Sequence, residues 1–265
     1  MDIKTNERMS NMLKTVTDLV YQTRDIIFAA GAAQDFKLKG HGDYVTVVDT
    51  GVQDFLQKQL RELYPDIQFM GEEKNNEDID FSGRVWILDP IDGTANLVRN
   101  FGQSAVSLAL VEEGEPTLAV VYNPFSDELY AAEKGKGATL NGEPIHVTGA
   151  KTVSESLIAV GTCPYHKERA TEVFSAIYRV YMQAEDVRRM GAAALDLCHV
   201  AAGRADGSFE HQLNPWDIAA GVLLVEEAGG KVTNMDLSPL RFDRPSNVLA
   251  SNGNIHEQLH RLLCQ

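Results

Sequence analysis

The sequence predicts an α+β fold in which helices and sheets are layered in two lobes, residues 1–150 and 151–265, with a soft boundary near residue 150. Three observations lead there. Apolar residues recur at helical spacing at the start of the chain, short β-rich runs separated by turn signals follow from Val106 to Val147, and strands then alternate with helices. With 265 residues, 44% of them hydrophobic, the chain is long enough to bury a sizeable core.

Taken in order, Met9, Met12, Leu13, Val16, Leu19, Val20 and Ile27 recur at helical spacing until Gly31, which predicts an amphipathic first helix. The stretch "DYVTVVD" reads as a strand. "TGVQDFLQKQLRELYP" reads as a second helix, with Val52, Phe55, Leu56 and Leu63 on its stripe and Pro65 just beyond its end. The runs "VSLALV", "TLAVVY", "ELYAAE" and "PIHV" are separated by "EEGEP", "NPFSDE", "KGKG" and "NG", the punctuation of an antiparallel meander. Past residue 150 come "SLIAVG", a helix in "RATEVFSAIYRVYMQ", "EDVRRM", the Ala-rich helix "AAALDLCHVAAG", "ADGSFE", and the helix "PWDIAAGVLLVEEAGG" closing on Gly229 and Gly230.

Charge and composition narrow the function. Lys and Arg total 24 against 38 Asp and Glu, a net charge of −14, so nucleic-acid backbones and anionic membranes are repelled and cations attracted. The three cysteines are an odd number without C-x-x-C spacing, which argues against a disulfide framework and a thiolate zinc site and fits a reduced cytoplasm. "MDIKTNERMSNMLKTV" lacks the apolar core of a signal peptide, and no run of ~18 apolar residues predicts a membrane span.

The stretch "WILDPIDGTANL", Trp86 to Leu97, sets Asp89 and Asp92 at the end of a buried strand that Pro90 cannot continue. Two carboxylates so close repel unless a cation lies between them, and oxygen ligands of this kind suit a hard cation such as Mg²⁺. Gly93 allows close backbone approach, and Thr94 opens a short helix whose N–H groups favour an anion. Asp-x-x-Asp-Gly is also ordinary turn chemistry. Two further carboxylate positions at element edges, in "FMGEE" and "NPWDIAAG", shift the balance toward a metal site.

With "DYVTVVD", "MGEE", "WILDPIDGTANLV", "AVSLAL", "EKGKGATLNGEPI", "MGAAALDLCHVAAGRADGSFE" and "WDIAAGVLLVEEAGG" in this order, the chain resembles the inositol monophosphatase family of lithium-sensitive, Mg²⁺-dependent phosphatases from about Asp43 to Gly230. The resemblance implies a layered α-β-α-β-α sandwich, as in the inositol monophosphatases and fructose-1,6-bisphosphatases. It also implies hydrolysis of a small polyol phosphate, inositol 1-phosphate foremost, in a cytoplasmic homodimer inhibited by Li⁺. Glu72, Asp89, the Ile91 carbonyl, Asp92 and Asp217 would hold two Mg²⁺ ions, with Glu72 also helping a weaker third; Gly93 and Thr94 would bind the phosphate, and Thr94 with Asp49 would orient the attacking water. Glu72 thereby counts with them among the catalytic residues. Gly191, Ala192, Ala193 and Glu210 would contact the polyol, with Asp92 and Asp217 adjoining it. The same metal site serves relatives that act on fructose 1,6-bisphosphate, NADP, histidinol phosphate and 3′-phosphoadenosine nucleotides.

Other residues carry plainer expectations. Lys39 is read as solvent-exposed, Trp216 as packing, Pro215 as a first-turn residue, His211 as a surface or pocket-wall residue rather than a base, and Cys198 as core. "EKGKG" lacks the spacing of a phosphate-binding loop and reads as a turn. "KNNEDIDFSGR" is expected to be a mobile flap. The rival from another class is a phosphatase fold kept for regulatory binding to RNA or a transcription complex; the complete ligand set and the net charge weigh against it.

Overall fold

The computed structural model describes residues 3–29, 36–40 and 43–264, without the side chains of residues 3–10, 38–40 and 43. The expectation for Lys39 lies outside that description, and the first helix, expected to run until Gly31, ends at Ile27. Helix α1 (Ile3–Ile27) and helix α2 (Val47–Leu63) flank a small hairpin, β1 (Phe36–Gly40) with β2 (Asp43–Thr46). The strand expected over Asp43–Asp49 therefore stops at Thr46. The cause is a capping box: Thr46 Oγ1 accepts the Val48 and Asp49 N–H groups while the Asp49 carboxylate accepts the Thr46 N–H, so Val47 and Val48 enter the helix despite their β-branched side chains.

A seven-stranded sheet follows, made of β3 (Gln68–Gly71), β4 (Arg84–Asp92), β5 (Ala105–Glu112), β6 (Glu115–Asn123), β7 (Glu128–Glu133), β8 (Ala138–Leu140) and β9 (Glu143–Ile145) in spatial order. The meander is antiparallel, β3 alone joining β4 in parallel. Strand β4 runs past Pro90 rather than ending before it: its pairing with β5 slips between Asp89 and Asp92, and that irregularity absorbs the missing N–H. The strand expected in "PIHV" is shortened to β9, and β8 went unanticipated.

Beyond it lie β10 (Leu157–Val160), α4 (Ala170–Tyr181), β11 (Asp186–Arg188), α5 (Ala193–Ala201), β12 (Gly207–Leu213), α6 (Pro215–Glu227), β13 (Lys231–Asn234), β14 (Ser246–Ser251) and α7 (His256–Leu263), with a five-residue α3 (Thr94–Val98) just after β4. The second sheet has the order β11-β10-β12-β14-β13.

Side-chain alternation fixes the layering. Trp86 and Leu88 of β4 face Val16, Val20, Val52 and Leu56 of α1 and α2, while Val85 and Ile87 face α5 and α6. Helix α6 is buried without interruption from Ile218 to Val225, because both its sides are covered, by the seven-stranded sheet and by Val232, Val248 and Ala250 of the other sheet. The outer face of the second sheet packs Ile158, Val160, Phe209 and Leu249 against α4 and α7. The order of layers is α1/α2, sheet, α5/α6, sheet, α4/α7, an α-β-α-β-α sandwich.

Candidate active site

One end of this sandwich opens into a cavity of about 450 Å³, walled by the end of β4, the start of α6, the β10 and β12 edges and the residues before α5. Asp89 and Asp92 lie at the end of β4, and Asp217 sits in the first turn of α6. One carboxylate oxygen from each comes within 4.8 Å of the others. Each is oriented by backbone: Asp89 Oδ1 accepts the Ile91 N–H (2.9 Å), Asp92 Oδ2 the Ala194 N–H (2.7 Å) and Asp217 Oδ2 the Asn214 N–H (2.7 Å). Pro215 occupies the first turn of α6 as its sequence position suggests. Glu72, just past β3, lines the same cavity.

Burial raises the proton affinity of all three aspartates. For Asp89 the repulsion of Glu72, Asp92 and Asp217 adds to it, and for Asp217 that of Asp92 and Glu72. Asp92 is pushed up to about 6, even though the Ala194 and Ala193 N–H groups favour its anion. Carboxyls forced together and away from water carry their negative charge at a cost that a shared cation relieves, so this oxygen-only donor set fits a hard divalent ion.

Asp49 is fully buried and does not reach the cavity wall; its side chain meets Thr94, which does. Its Oδ2 accepts from Thr46 N (2.8 Å) and Thr46 Oγ1 (2.5 Å), which fixes the carboxylate at the base of α2. The Thr94 hydroxyl lies 3.2 Å from Asp49 Oδ1 and 3.0 Å from the Ile91 carbonyl, within donating distance of both. Gly93 turns the chain with φ 82°, and a Cβ there would meet the Gln103 carbonyl at 2.8 Å.

Across the cavity, Glu210 of β12 lies against Gly161, where a Cβ would overlap its carboxyl group. Burial pushes Glu210 up to about 7 against the pull of Arg189 and of the Cys163 N–H. Gly191 and Ala193 line the wall, whereas Ala192 does not: its side chain is buried beneath the wall in the core around α5 and α6. Trp216 lines the cavity and Cys198 is buried in the core. The "KNNEDIDFSGR" segment is tied to β3, since the Asn76 side chain bonds both backbone groups of Gly71 and Gln68 bonds both those of Asp80.

Several residues of the site escaped the sequence reading. Asn96 Nδ2 donates to the Gln103 carbonyl (2.7 Å) and the Met190 carbonyl (2.9 Å), tying the turn after β4 to the segment before α5. Its place two residues after Thr94 was the one available signal. Ser104 Oγ donates to the Gly93 carbonyl (2.8 Å). Asp196 of α5 lines the cavity with Oδ1 buried and unpartnered, its proton affinity raised by burial and then by Glu210.

The chain matches the model of the inositol monophosphatase family over residues 8–265. It is 38% identical over 241 residues to an inositol-1-monophosphatase of Caulobacter vibrioides, covering 87% of this chain and 94% of that protein. It is 44% identical over 197 residues to the Nus factor SuhB of Xylella fastidiosa, covering 73% of this chain and 70% of that one. The solved extragenic suppressor protein suhB of Bartonella henselae superposes with a TM-score of 0.87 at 34% identity, over 97% of this chain and 98% of that one. A five-layered sandwich with three converging aspartates, and likeness along nearly the whole chain, lead to one conclusion: the protein belongs to the inositol monophosphatase family.

Proposed function

We propose that this chain is a Mg²⁺-dependent phosphomonoesterase that hydrolyses a small polyol phosphate, inositol 1-phosphate foremost. The observation that carries the reading is the convergence of Asp89, Asp92 and Asp217 opposite Glu210 in a single cavity. Glu72, Asp89, the Ile91 carbonyl, Asp92 and Asp217 are the groups that would hold Mg²⁺, two ions and a weaker third. Bound there, the metal supplies Lewis-acid polarisation of the ester and a water of lowered pKa.

The chain's own residues do the rest. Asp49, held by Thr46, keeps an acceptor on Thr94, and the Thr94 hydroxyl in turn orients a water toward the phosphorus. The backbone N–H groups of Gly93 and Thr94 take the phosphate oxygens. Glu210 accepts hydrogen bonds from the polyol hydroxyls, and Gly191 and Ala193 leave room for its ring, while Ala192 packs in the core behind them. Inhibition by Li⁺, assembly as a homodimer and a cytoplasmic location belong to the same reading.

A phosphate-release panel tests it. Wild-type protein with Mg²⁺ should turn over inositol 1-phosphate ahead of fructose 1,6-bisphosphate, histidinol phosphate, NADP and 3′-phosphoadenosine nucleotides. Glu210→Gln should lower kcat/KM for inositol 1-phosphate by roughly 10-fold or more and barely change it for an aromatic phosphate ester. Release that survives chelation refutes the metal assignment, and equal losses on both esters refute the role of Glu210. The likeness to proteins named Nus factor SuhB supports a second reading, a regulatory role in a transcription complex. The net charge of −14 directs that reading to a protein partner rather than to RNA.

A further inference from the structure

We propose that Gln53 is a positioning residue for the metal site, setting Glu72 by holding the peptide group between Glu72 and Glu73 to helix α2. The inference rests on the metal-dependent phosphatase reading and adds to it a residue that does not line the cavity. Glu72 is the first residue beyond β3, where strand geometry no longer dictates the path of the chain. Its direction must come from elsewhere.

Two peptide groups flank the Glu72 Cα, and because each is planar, fixing both sets the direction in which the side chain leaves the backbone. Both are fixed. The first is tied to β4, where the Glu72 N–H donates to the Leu88 carbonyl (3.2 Å), next to Asp89. The second is tied to α2, where the Glu73 N–H donates to Gln53 Oε1 (3.0 Å).

The surroundings are shaped for this contact. Gln53 is only 5% exposed and sits on α2 between the core residues Val52 and Leu56, where an amide is costly unless it is hydrogen-bonded and an apolar side chain would pack as well. A Cβ on Gly71 would come within 2.3 Å of Gln53 Oε1 and 3.0 Å of its Cδ, so the absence of a side chain at Gly71 is what admits the amide. Asn76 closes the same turn, its side chain bonding the Gly71 N–H (3.2 Å) and carbonyl (2.8 Å). Asp49 lies one turn before Gln53 on the same face of α2, and its Oδ1 meets the Thr94 hydroxyl. One helix therefore carries the supports of both Thr94 and Glu72.

The test needs no turnover. Full-length Gln53→Met, which keeps the length of the side chain and loses the acceptor, is compared with Gln53→Glu, which keeps an acceptor. In metal-free protein followed by NMR, Gln53→Met should raise the hydrogen-exchange rate of the Glu73 amide roughly fivefold while that of Thr46 is unchanged, and Gln53→Glu should restore protection. Titrated calorimetrically with Mg²⁺ alone, Gln53→Met should bind roughly 10-fold more weakly than wild type, and the difference should vanish in a Glu72→Gln background, because Gln53 acts on the ion only through Glu72. Unaltered exchange at Glu73 overturns the proposal. So does an equal weakening with and without the Glu72 carboxylate, which would mean that α2 had merely loosened. If Gln53→Met does not fold, Gly71→Ala, whose Cβ drives the same oxygen aside, takes its place. Should wild-type protein bind no Mg²⁺, the metal reading itself has failed, and exchange at Glu73 decides about Gln53 alone: faster exchange in the variant supports its hold on the turn and unchanged exchange overturns it.

Discussion

Replacing Thr94 by valine separates catalysis from stability at one atom. Valine fills the same space and removes only the hydroxyl, whose loss leaves the two bonds from Thr46 to Asp49 Oδ2 intact. One net hydrogen bond is worth about 1 kcal/mol, so the melting temperature should fall by roughly 2–4 °C. If the hydroxyl orients the water, its removal should cost far more in rate. The loss of one preorganised group is about 10²–10³ in kcat, or about 2.7–4 kcal/mol of barrier. Asp49→Asn is the contrasting variant. Its amide places an N–H either against the two Thr46 donors or against the Thr94 hydroxyl, so it should lower kcat and also lower the melting temperature by more than Thr94→Val does. The assay is Mg²⁺-dependent phosphate release from inositol 1-phosphate at 25 °C, paired with calorimetric unfolding. Thr94→Val retaining a third or more of wild-type kcat refutes the argument, as does a stability loss large enough to account for the rate.

Asp92→Asn should all but abolish turnover, because a neutral amide is a poor ligand for a hard cation. In EDTA at pH 8 it should nevertheless melt higher than wild type: a carboxyl moved from its ordinary value to about 6 destabilises the metal-free fold by roughly 3 kcal/mol once ionised. Calorimetry in EDTA checks this, and an unchanged or lower melting temperature refutes it. The gain in melting temperature on adding Mg²⁺ should be small at pH 5 and full by pH 8. Asp92 binds its proton more tightly folded than unfolded, so its contribution to metal-free stability falls as pH climbs toward about 6, and Mg²⁺ restores what ionisation removes. A gain independent of pH over that range counts against the site.

The layers were legible in the sequence because periodicity reports which faces are covered. The uninterrupted apolar run of "IAAGVLLV" in α6 is what a helix between two sheets requires, and the one-sided stripes of α1 and α2 are what an outer layer requires. Local capping was misread: "VTVVD" scores as strand on β-branched content, yet the Thr46 and Asp49 pair outweighs it. Strands β13 and β14 and helix α7 went unread, since four residues such as "KVTN" carry too little pattern of their own and are held by their neighbours in the sheet. At the site, Asp89 and Asp92 stand close in sequence and were found together; Asn96 and the Met190 carbonyl are 94 residues apart, and nothing local joins them. The unpartnered atoms of Asp196 and His211 follow from burial, which only the folded chain creates.

The burial of α6 between the two sheets has a consequence for how such a protein diversifies. Asp217 begins that helix, while Asp89 and Asp92 end a strand of the sheet it packs on, so all three carboxylates are carried by one packed pair of layers. Glu210, His211 and Gly161 hang on the opposite sheet, and Glu172 on the helix outside it. Selection can rework that far wall, one side chain at a time, without displacing the acids across the gap. A lineage can thus exchange the alcohol it recognises while inheriting its hydrolytic apparatus unaltered.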